Sequence, residues 1–103
     1  MSPRVRLPQQ AIAAFCRRWS IVELSLFGSV LREDFGPDSD VDVLVRFAPQ
    51  ARHTLFDLVH MQQELGALLG RQVDLVEKTA IERSRNHLRR KAILETAEVA
   101  YAA

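Results

Sequence analysis

Cysteine and long apolar runs are both scarce in this sequence, and each scarcity excludes a class of protein. The 103 residues include a single cysteine, Cys16, which cannot form a disulfide within the chain and suits a reducing compartment. No apolar run approaches the roughly 20 residues needed to cross a bilayer, and the first residues lack the apolar core of a signal peptide. We therefore expect a cytoplasmic protein that does not act at a membrane.

A strong excess of one charge is also missing. The chain has 14 Lys and Arg residues against 13 Asp and Glu residues, a formal net charge of +1. Domains that coat nucleic acid by charge are usually strongly basic, so nucleic acid is not expected as the main partner. At this length we expect a single domain, residues 1–103.

Two carboxylates alternate along an apolar strand, a short loop after a Gly-Ser turn. One predicted strand ends at Gly28, which Ser29 follows, and a second strand, rich in β-branched residues, begins at about Asp40. Side chains two positions apart share a face of a strand, so Asp40 and Asp42 should lie about 6 to 7 Å apart at their Cα atoms. A divalent metal commonly offsets the repulsion of such a pair. The pattern predicts a metal-binding site.

The segment 28–45 resembles the signature of the nucleotidyltransferases of the DNA polymerase β superfamily, a Gly-Ser turn followed by a Ser-Asp-x-Asp strand. It is most similar to the minimal nucleotidyltransferases, single-domain antitoxin-like proteins of prokaryotes that are often paired with a HEPN-domain protein. A third carboxylate, Asp74, stands where that family has one. One departure is that Glu33 follows Arg32 where the family usually has glycine.

The resemblance implies that Asp40, Asp42 and Asp74 are catalytic and hold two Mg²⁺ ions. Nucleotidyl transfer needs the attacking oxygen, the α-phosphorus and the leaving pyrophosphate in line, with two ions stabilising the entering and leaving oxygens. Oxygen ligands suit Mg²⁺. Asp40 and Asp42 would bridge the ions, and Asp74 would complete the site that activates the acceptor hydroxyl and could take its proton.

Four further residues are predicted to bind the nucleotide. Gly28 would let the backbone approach a triphosphate, and the Ser29 hydroxyl would donate to it. Arg32 either reaches the phosphates or pairs with an acidic neighbour. Ser39 either orients the metal-binding loop or caps the turn before the strand.

The predicted fold class is α/β (α+β), a small mixed sheet with flanking helices of the polymerase β-like nucleotidyltransferase type. The predicted elements are a helix from Pro8 to about Ser20, a strand over 22–27, a helical turn over 29–33, a loop over 35–39, a strand over 41–45, a helix between Thr54 and Gly70, a strand over 72–76, a helix from Ala80 that Asn86 could divide, and a short strand over 98–101.

Caps and core residues follow from the same patterns. Two capping boxes are predicted, Thr54 with Asp57 and Thr79 with Glu82. The residues predicted to form one apolar face of the long helix are Leu55, Leu58, Val59, Leu65, Leu68 and Leu69, and those predicted to lie in the core are Phe15, Trp19 and Phe56, with Cys16 unreactive on the apolar side of its helix.

The function that the resemblance implies is that of an antitoxin enzyme, a protein adenylyltransferase. It would move AMP from ATP to a tyrosine hydroxyl of a HEPN-type toxin and release pyrophosphate. Two alternatives stay open: a non-catalytic antitoxin that occludes its partner, and nucleotidyl transfer to a small molecule or to RNA. The nucleotide preference and the oligomeric state are also left open by the sequence.

A locally basic segment spans residues 83–91. Its five cations are Arg83, Arg85, Arg89, Arg90 and Lys91. It is either a solvated helix face or a surface on which some of these charges meet the triphosphate or an acidic partner.

Overall fold

The computed structural model describes residues 8–28 and 40–103 of the chain. Its elements, in chain order, are α1 (Gln9–Arg18), β1 (Ile21–Phe27), β2 (Val41–Phe47), α2 (Leu55–Leu69), β3 (Val73–Glu77), α3 (Lys78–Glu82), α4 (His87–Thr96) and β4 (Glu98–Ala102). The predicted helical turn over 29–33 and loop over 35–39 lie outside the described residues. Among the described residues, no helix is long and apolar enough to cross a membrane.

The four strands form one mixed sheet in the order β3-β2-β1-β4. β1 pairs antiparallel with β2 and β4, whereas β2 pairs parallel with β3. A parallel pair needs a long crossover, and α2 lies in the chain between β2 and β3. The predicted mixed sheet with flanking helices is confirmed.

Helices cover both faces of this sheet because its strands alternate. On β2, Val41, Val43 and Val45 are fully buried in a cluster with residues of α1 and α2. Leu44, on the other face, is buried with Ile81 of α3 and Ile93 of α4. Asp42 is two positions from Leu44, so its side chain lies on the same face of the sheet, the face covered by α3 and α4.

Both ends of α2 form as the sequence predicts. The Asp57 N–H donates to Thr54 Oγ1 at 3.2 Å, and the Thr54 N–H donates to the Asp57 carboxylate at 2.9 Å. The backbone hydrogen bond from Thr54 lowers the pKa of Asp57. Gly70 ends the helix in the left-handed conformation, with φ of 65°. The capping box and the glycine stop are confirmed.

The second predicted capping box is wrong. α3 begins at Lys78 with Glu77 as its N-cap, so Thr79 lies inside the first turn and cannot cap it. The reason is that β3 runs into α3 without a loop. The predicted division at Asn86 is confirmed, because its side chain accepts the Arg89 N–H at 3.1 Å and caps a separate helix, α4.

Part of the predicted core is also wrong. Phe56 is 79% exposed and Leu55 is 76% exposed, whereas α2 buries Met61 and Leu65. At 3.6 residues per turn, Val59 points about 160° away from Met61, so the apolar residues of α2 form two stripes and only one faces the sheet. The prediction is confirmed for Leu65, and the remaining members of the predicted face, Leu58, Leu68 and Leu69, pack partly buried against the core.

The core residues predicted on α1 do lie against the core in the structure. Phe15 and Cys16 are fully buried, and Trp19 packs partly buried against the same cluster. Burial raises the pKa of the Cys16 thiol to about 12, which agrees with the prediction of an unreactive cysteine.

Candidate active site

Two of the predicted carboxylates face each other across the parallel strands. Asp42 of β2 and Asp74 of β3 are directly opposite in the strand register. Neighbouring strands lie about 4.8 Å apart, so this register brings the two carboxylates together although 31 residues separate them in the sequence. Both side chains line a cavity of about 640 Å³ between the sheet and α4. This pair is the chemical centre of the candidate site.

Asp40 has a different position. It is exposed, precedes the first residue of β2, and is not among the residues that line the cavity. Within residues 8–28 and 40–103, no three or more Asp, Glu, His or Cys side chains are grouped closely enough to hold a metal ion together. The structure therefore brings Asp42 and Asp74 together, and it leaves Asp40, two positions before Asp42 in the sequence, outside the cavity lining.

Gly28 fits this site for two separate reasons. It follows the last residue of β1, Phe27, which is opposite Asp42 in the antiparallel register. Its φ is 74°, in the left-handed region that glycine adopts without strain. A Cβ atom added to Gly28 would also overlap Oδ2 of Asp42. The carboxylate can lie where it does only because residue 28 has no side chain.

The second wall of the cavity is one face of α4. Arg89, Ala92, Ile93 and Thr96 line it, with the spacing of side chains that share a helix face. The Asn86 cap fixes the start of this helix, and Ile93, which is 8% exposed, anchors it on the sheet. The sheet contributes apolar lining from Phe27 and Val76, and Glu98 of β4 also lines the cavity.

Two cations outside the cavity, Lys78 and Arg46, form ion pairs with glutamates. Lys78 Nζ lies 2.5 Å from Glu23 Oε1, and Arg46 Nη2 lies 2.6 Å from Glu82 Oε2. None of these four side chains lines the cavity. Among the described residues that do line it, Arg89 is the one cation, and the acids are Asp42, Asp74 and Glu98.

The donors at the site suit a divalent metal. Asp42 and Asp74 offer carboxylate oxygens, which Mg²⁺ prefers, and two adjacent anions lose their mutual repulsion when a cation binds between them. The cavity volume also leaves room for a ligand of nucleotide size. The residues present therefore fit a metal held by Asp42 and Asp74.

Some predicted nucleotide-binding residues lie outside the described residues, namely Ser29, Arg32 and Ser39. Conversely, sequence reasoning did not single out the cavity residues of α4. Arg89 is one of five cations in the basic segment, and its spacing to Ile93 places both on one helix face. That spacing is the signal that could have separated Arg89 from its neighbours.

Comparison with known proteins identifies a family. Residues 9–99 match the nucleotidyltransferase domain family. The chain is also similar to the protein adenylyltransferase MntA of Thermococcus cleftensis, at 38% identity over 65 residues, which make up 63% of this chain and 64% of that protein. The similarity therefore spans less than two thirds of the relative's length.

Two solved structures share the fold. One is described as a minimal nucleotidyltransferase and is 34% identical, with a TM-score of 0.65 over 86% of this chain and 85% of its own. The other is a complex of a tri-AMPylated Shewanella oneidensis HEPN toxin with an MNT antitoxin; the matching chain is 21% identical, with a TM-score of 0.61 over 92% of this chain and 70% of its own. At that identity the second match supports the fold alone. From its match over residues 9–99 and its likeness to a minimal nucleotidyltransferase of similar length, the chain belongs to the nucleotidyltransferase domain family, as one of its minimal members.

Proposed function

We propose that this chain is a metal-dependent protein adenylyltransferase that transfers AMP from ATP to a tyrosine hydroxyl of a HEPN-type toxin and thereby acts as its antitoxin. The observation that carries the proposal is the pair of opposed carboxylates, Asp42 and Asp74, beside a glycine turn in one cavity. The name of the Thermococcus relative supports protein adenylylation. The Shewanella complex contains a tri-AMPylated HEPN toxin beside an antitoxin chain of the same fold, and by analogy with it we propose a HEPN toxin as the AMP acceptor here.

The reaction forms one bond and breaks one. The acceptor hydroxyl oxygen attacks the α-phosphorus of ATP, the bond between the α-phosphorus and its bridging oxygen to the β-phosphorus breaks, and pyrophosphate leaves with the electron pair. The hydroxyl proton must go to a base, and Asp74 is our candidate because it is exposed at the cavity. Positioning and charge stabilisation supply most of the rate in such transfers.

Asp42 and Asp74 would hold Mg²⁺, and two ions would be bound if Asp40 joins them. The bound metal would supply charge for the entering and leaving oxygens. Gly28 would bring the backbone close to the phosphates. We keep Ser29, Arg32 and Ser39 as proposed nucleotide-binding residues, and Asp40 as the proposed third carboxylate.

The partner would complete the site. Among the described strands β3 is an outer one, and Asp74 on it is exposed, so we expect the partner to approach the carboxylate pair from that side. A closed site excludes water and strengthens the interactions that stabilise transferred charge. We therefore expect slow turnover of ATP by the chain alone and efficient transfer only with the acceptor bound.

The test uses the chain, a candidate HEPN toxin, ATP labelled on the α-phosphate and Mg²⁺. The proposal predicts adenylyl groups on a toxin tyrosine by mass spectrometry, loss of the modification with a chelator, and loss of toxin activity in step with the modification. If the toxin is inhibited stoichiometrically without a change in mass, and Asp42→Asn inhibits it equally well, the chain occludes its partner instead. Label found on RNA or on a small molecule, with none on protein, would contradict the proposed acceptor.

A further inference from the structure

The basic segment over residues 83–91 divides into cations with different surroundings. Arg90 is engaged at the start of α4, where its guanidinium donates to the Ser84 carbonyl at 3.0 Å and lies 2.6 Å from His87 Nδ1. Arg89, which immediately precedes Arg90 in α4, lies in the cavity wall. Its backbone N–H is bonded to Asn86, but its guanidinium makes no hydrogen bond or ion pair with any residue that the structure describes.

The placement of Arg89 follows from its helix position. It precedes Ile93 by four residues, so the two share the face that packs on the sheet. Side chains on a helix lean toward its N-terminus. The long side chain of Arg89 therefore extends beyond the contact between Ile93 and the sheet, toward solvent. Arg89 is exposed, and it lines the same cavity as Asp42 and Asp74.

The charge balance of the cavity calls for such a residue. A triphosphate entering beside Asp42, Asp74 and Glu98, the three acids of the described lining, meets like charge, and a metal on the two aspartates would offset only part of the total. Arg89 is the one basic side chain among the described residues of the lining. A guanidinium presents paired N–H donors that match two oxygens of a phosphate, and desolvation by an entering ligand costs it less than it costs an ammonium group.

We infer that Arg89 binds the β- and γ-phosphates of the nucleotide, the part that leaves as pyrophosphate, from the α4 wall. This inference rests on the proposed function, because it assumes that a nucleoside triphosphate is the ligand of the cavity. It assigns a role to one cation of the basic segment and leaves the others on a solvated or structural face.

The test is the affinity of the full chain for ATP and for AMP, each with Mg²⁺, measured by calorimetric titration. Arg89→Met should weaken ATP binding about tenfold to a hundredfold, the range for a lost charge-assisted contact. It should change AMP binding less than about threefold, because AMP lacks the two phosphates. Arg89→Lys should lie between wild type and Arg89→Met, since it keeps the charge without the paired donors.

Arg85→Met is the matched control. Arg85 is exposed, lies in the same basic segment and does not line the cavity, so its loss removes the same charge from another place. It should leave both affinities unchanged. Melting curves of both variants should match wild type, because neither guanidinium makes a hydrogen bond or ion pair with a described residue.

The outcomes separate this inference from the proposed function. If wild type binds and transfers AMP, and Arg89→Met binds ATP within twofold of Arg85→Met, the inference is wrong while the proposed function stands. If Arg89→Met binds ATP normally but loses its HEPN partner, Arg89 contacts the partner, which also overturns the inference. If wild type binds no ATP in the presence of Mg²⁺, both are contradicted.

Discussion

At the scale of single residues, the site depends on a missing side chain as much as on the carboxylates. Gly28 and Gly70 both have φ in the left-handed region, at 74° and 65°. Of these two, Gly28 has a neighbour that a Cβ would strike, Asp42, whereas no atom of the described residues lies within 4 Å of the corresponding position at Gly70. The two glycines therefore form a natural pair for separating backbone strain from damage to the site.

Gly28→Ala and Gly70→Ala test this difference. Each should lose about 1 kcal/mol of unfolding free energy to the strained backbone, measured by denaturant unfolding. Gly28→Ala should lose more, because Asp42 must move away from the new methyl group, and it should also bind ATP and Mg²⁺ at least tenfold more weakly. Equal nucleotide affinity in the two variants would contradict the role assigned to Gly28.

Cys16 gives a prediction about pH and reactivity. Burial raises the pKa of its thiol from 9.0 in the unfolded chain to about 12 in the folded protein. The folded state therefore binds this proton more tightly, so its contribution to stability is complete below pH 9.0 and is lost as the pH rises toward about 12. At about pH 8 a thiol reagent should modify native protein only as fast as the chain opens. Modification as fast as in denaturant would contradict the burial of Cys16.

At the scale of elements, the edge strand β3 is the part of the site that needs support. Among the strands that the structure describes, it pairs with β2 alone, and on it Asp74 precedes Leu75. The Leu75 N–H donates to Gln62 Oε1 of α2 at 3.0 Å. This side chain supplies a partner for an edge amide next to the catalytic candidate, and it ties the position of β3 to the packing of α2.

Gln62→Met should therefore loosen β3 with little change elsewhere. Loss of one hydrogen bond predicts about 1 kcal/mol less stability, together with faster hydrogen exchange at the Leu75 amide. Gln62→Glu keeps an acceptor and should restore slow exchange. Gln63→Met, at an exposed neighbouring position, is the control and should exchange as wild type does. Unchanged exchange at Leu75 in Gln62→Met would show that the contact is dispensable.

Elements were predictable from the sequence where local signals agree. Thr54, Asp57 and Gly70 mark both ends of α2 because caps depend on nearby residues alone. The predicted cap at Thr79 is wrong because the sequence does not reveal that β3 continues straight into α3. The predicted burial of Phe56 is wrong because the apolar character of a residue does not show which of the two apolar stripes on α2 packs against the sheet.

The site was predictable to a smaller extent. Asp42 and Gly28 are 14 positions apart in the sequence, and a sequence motif marks both residues. The pairing of Asp42 with Asp74 is a register between distant strands, set by the packing of α2 as the crossover, and periodicity cannot supply it. The spacing from Arg89 to Ile93 places both on one face of α4, but the sequence alone does not show that this face packs on the sheet and lines a cavity.

At the scale of the whole molecule, the two faces of the sheet have different tasks. α1 and α2 close one face into the larger core cluster, while α3 and α4 cover the other face and leave a cavity beside Asp42 and Asp74. The larger core cluster and the candidate site thus lie on opposite faces of the same sheet. The single-domain organisation and the cytoplasmic location stay predictions.

The central claim is that the opposed carboxylates carry out nucleotidyl transfer. The most direct test is the rate of AMP transfer from labelled ATP to the HEPN partner with Mg²⁺, compared among wild type, Asp42→Asn, Asp74→Asn and Glu77→Gln. Glu77 is an exposed acid at the end of the same strand as Asp74, outside the cavity lining, and serves as the control. The account predicts that both aspartate variants stay folded and lose at least a thousandfold in rate, about 4 kcal/mol in the barrier, while Glu77→Gln transfers normally. Transfer within tenfold of wild type by both Asp42→Asn and Asp74→Asn would contradict it.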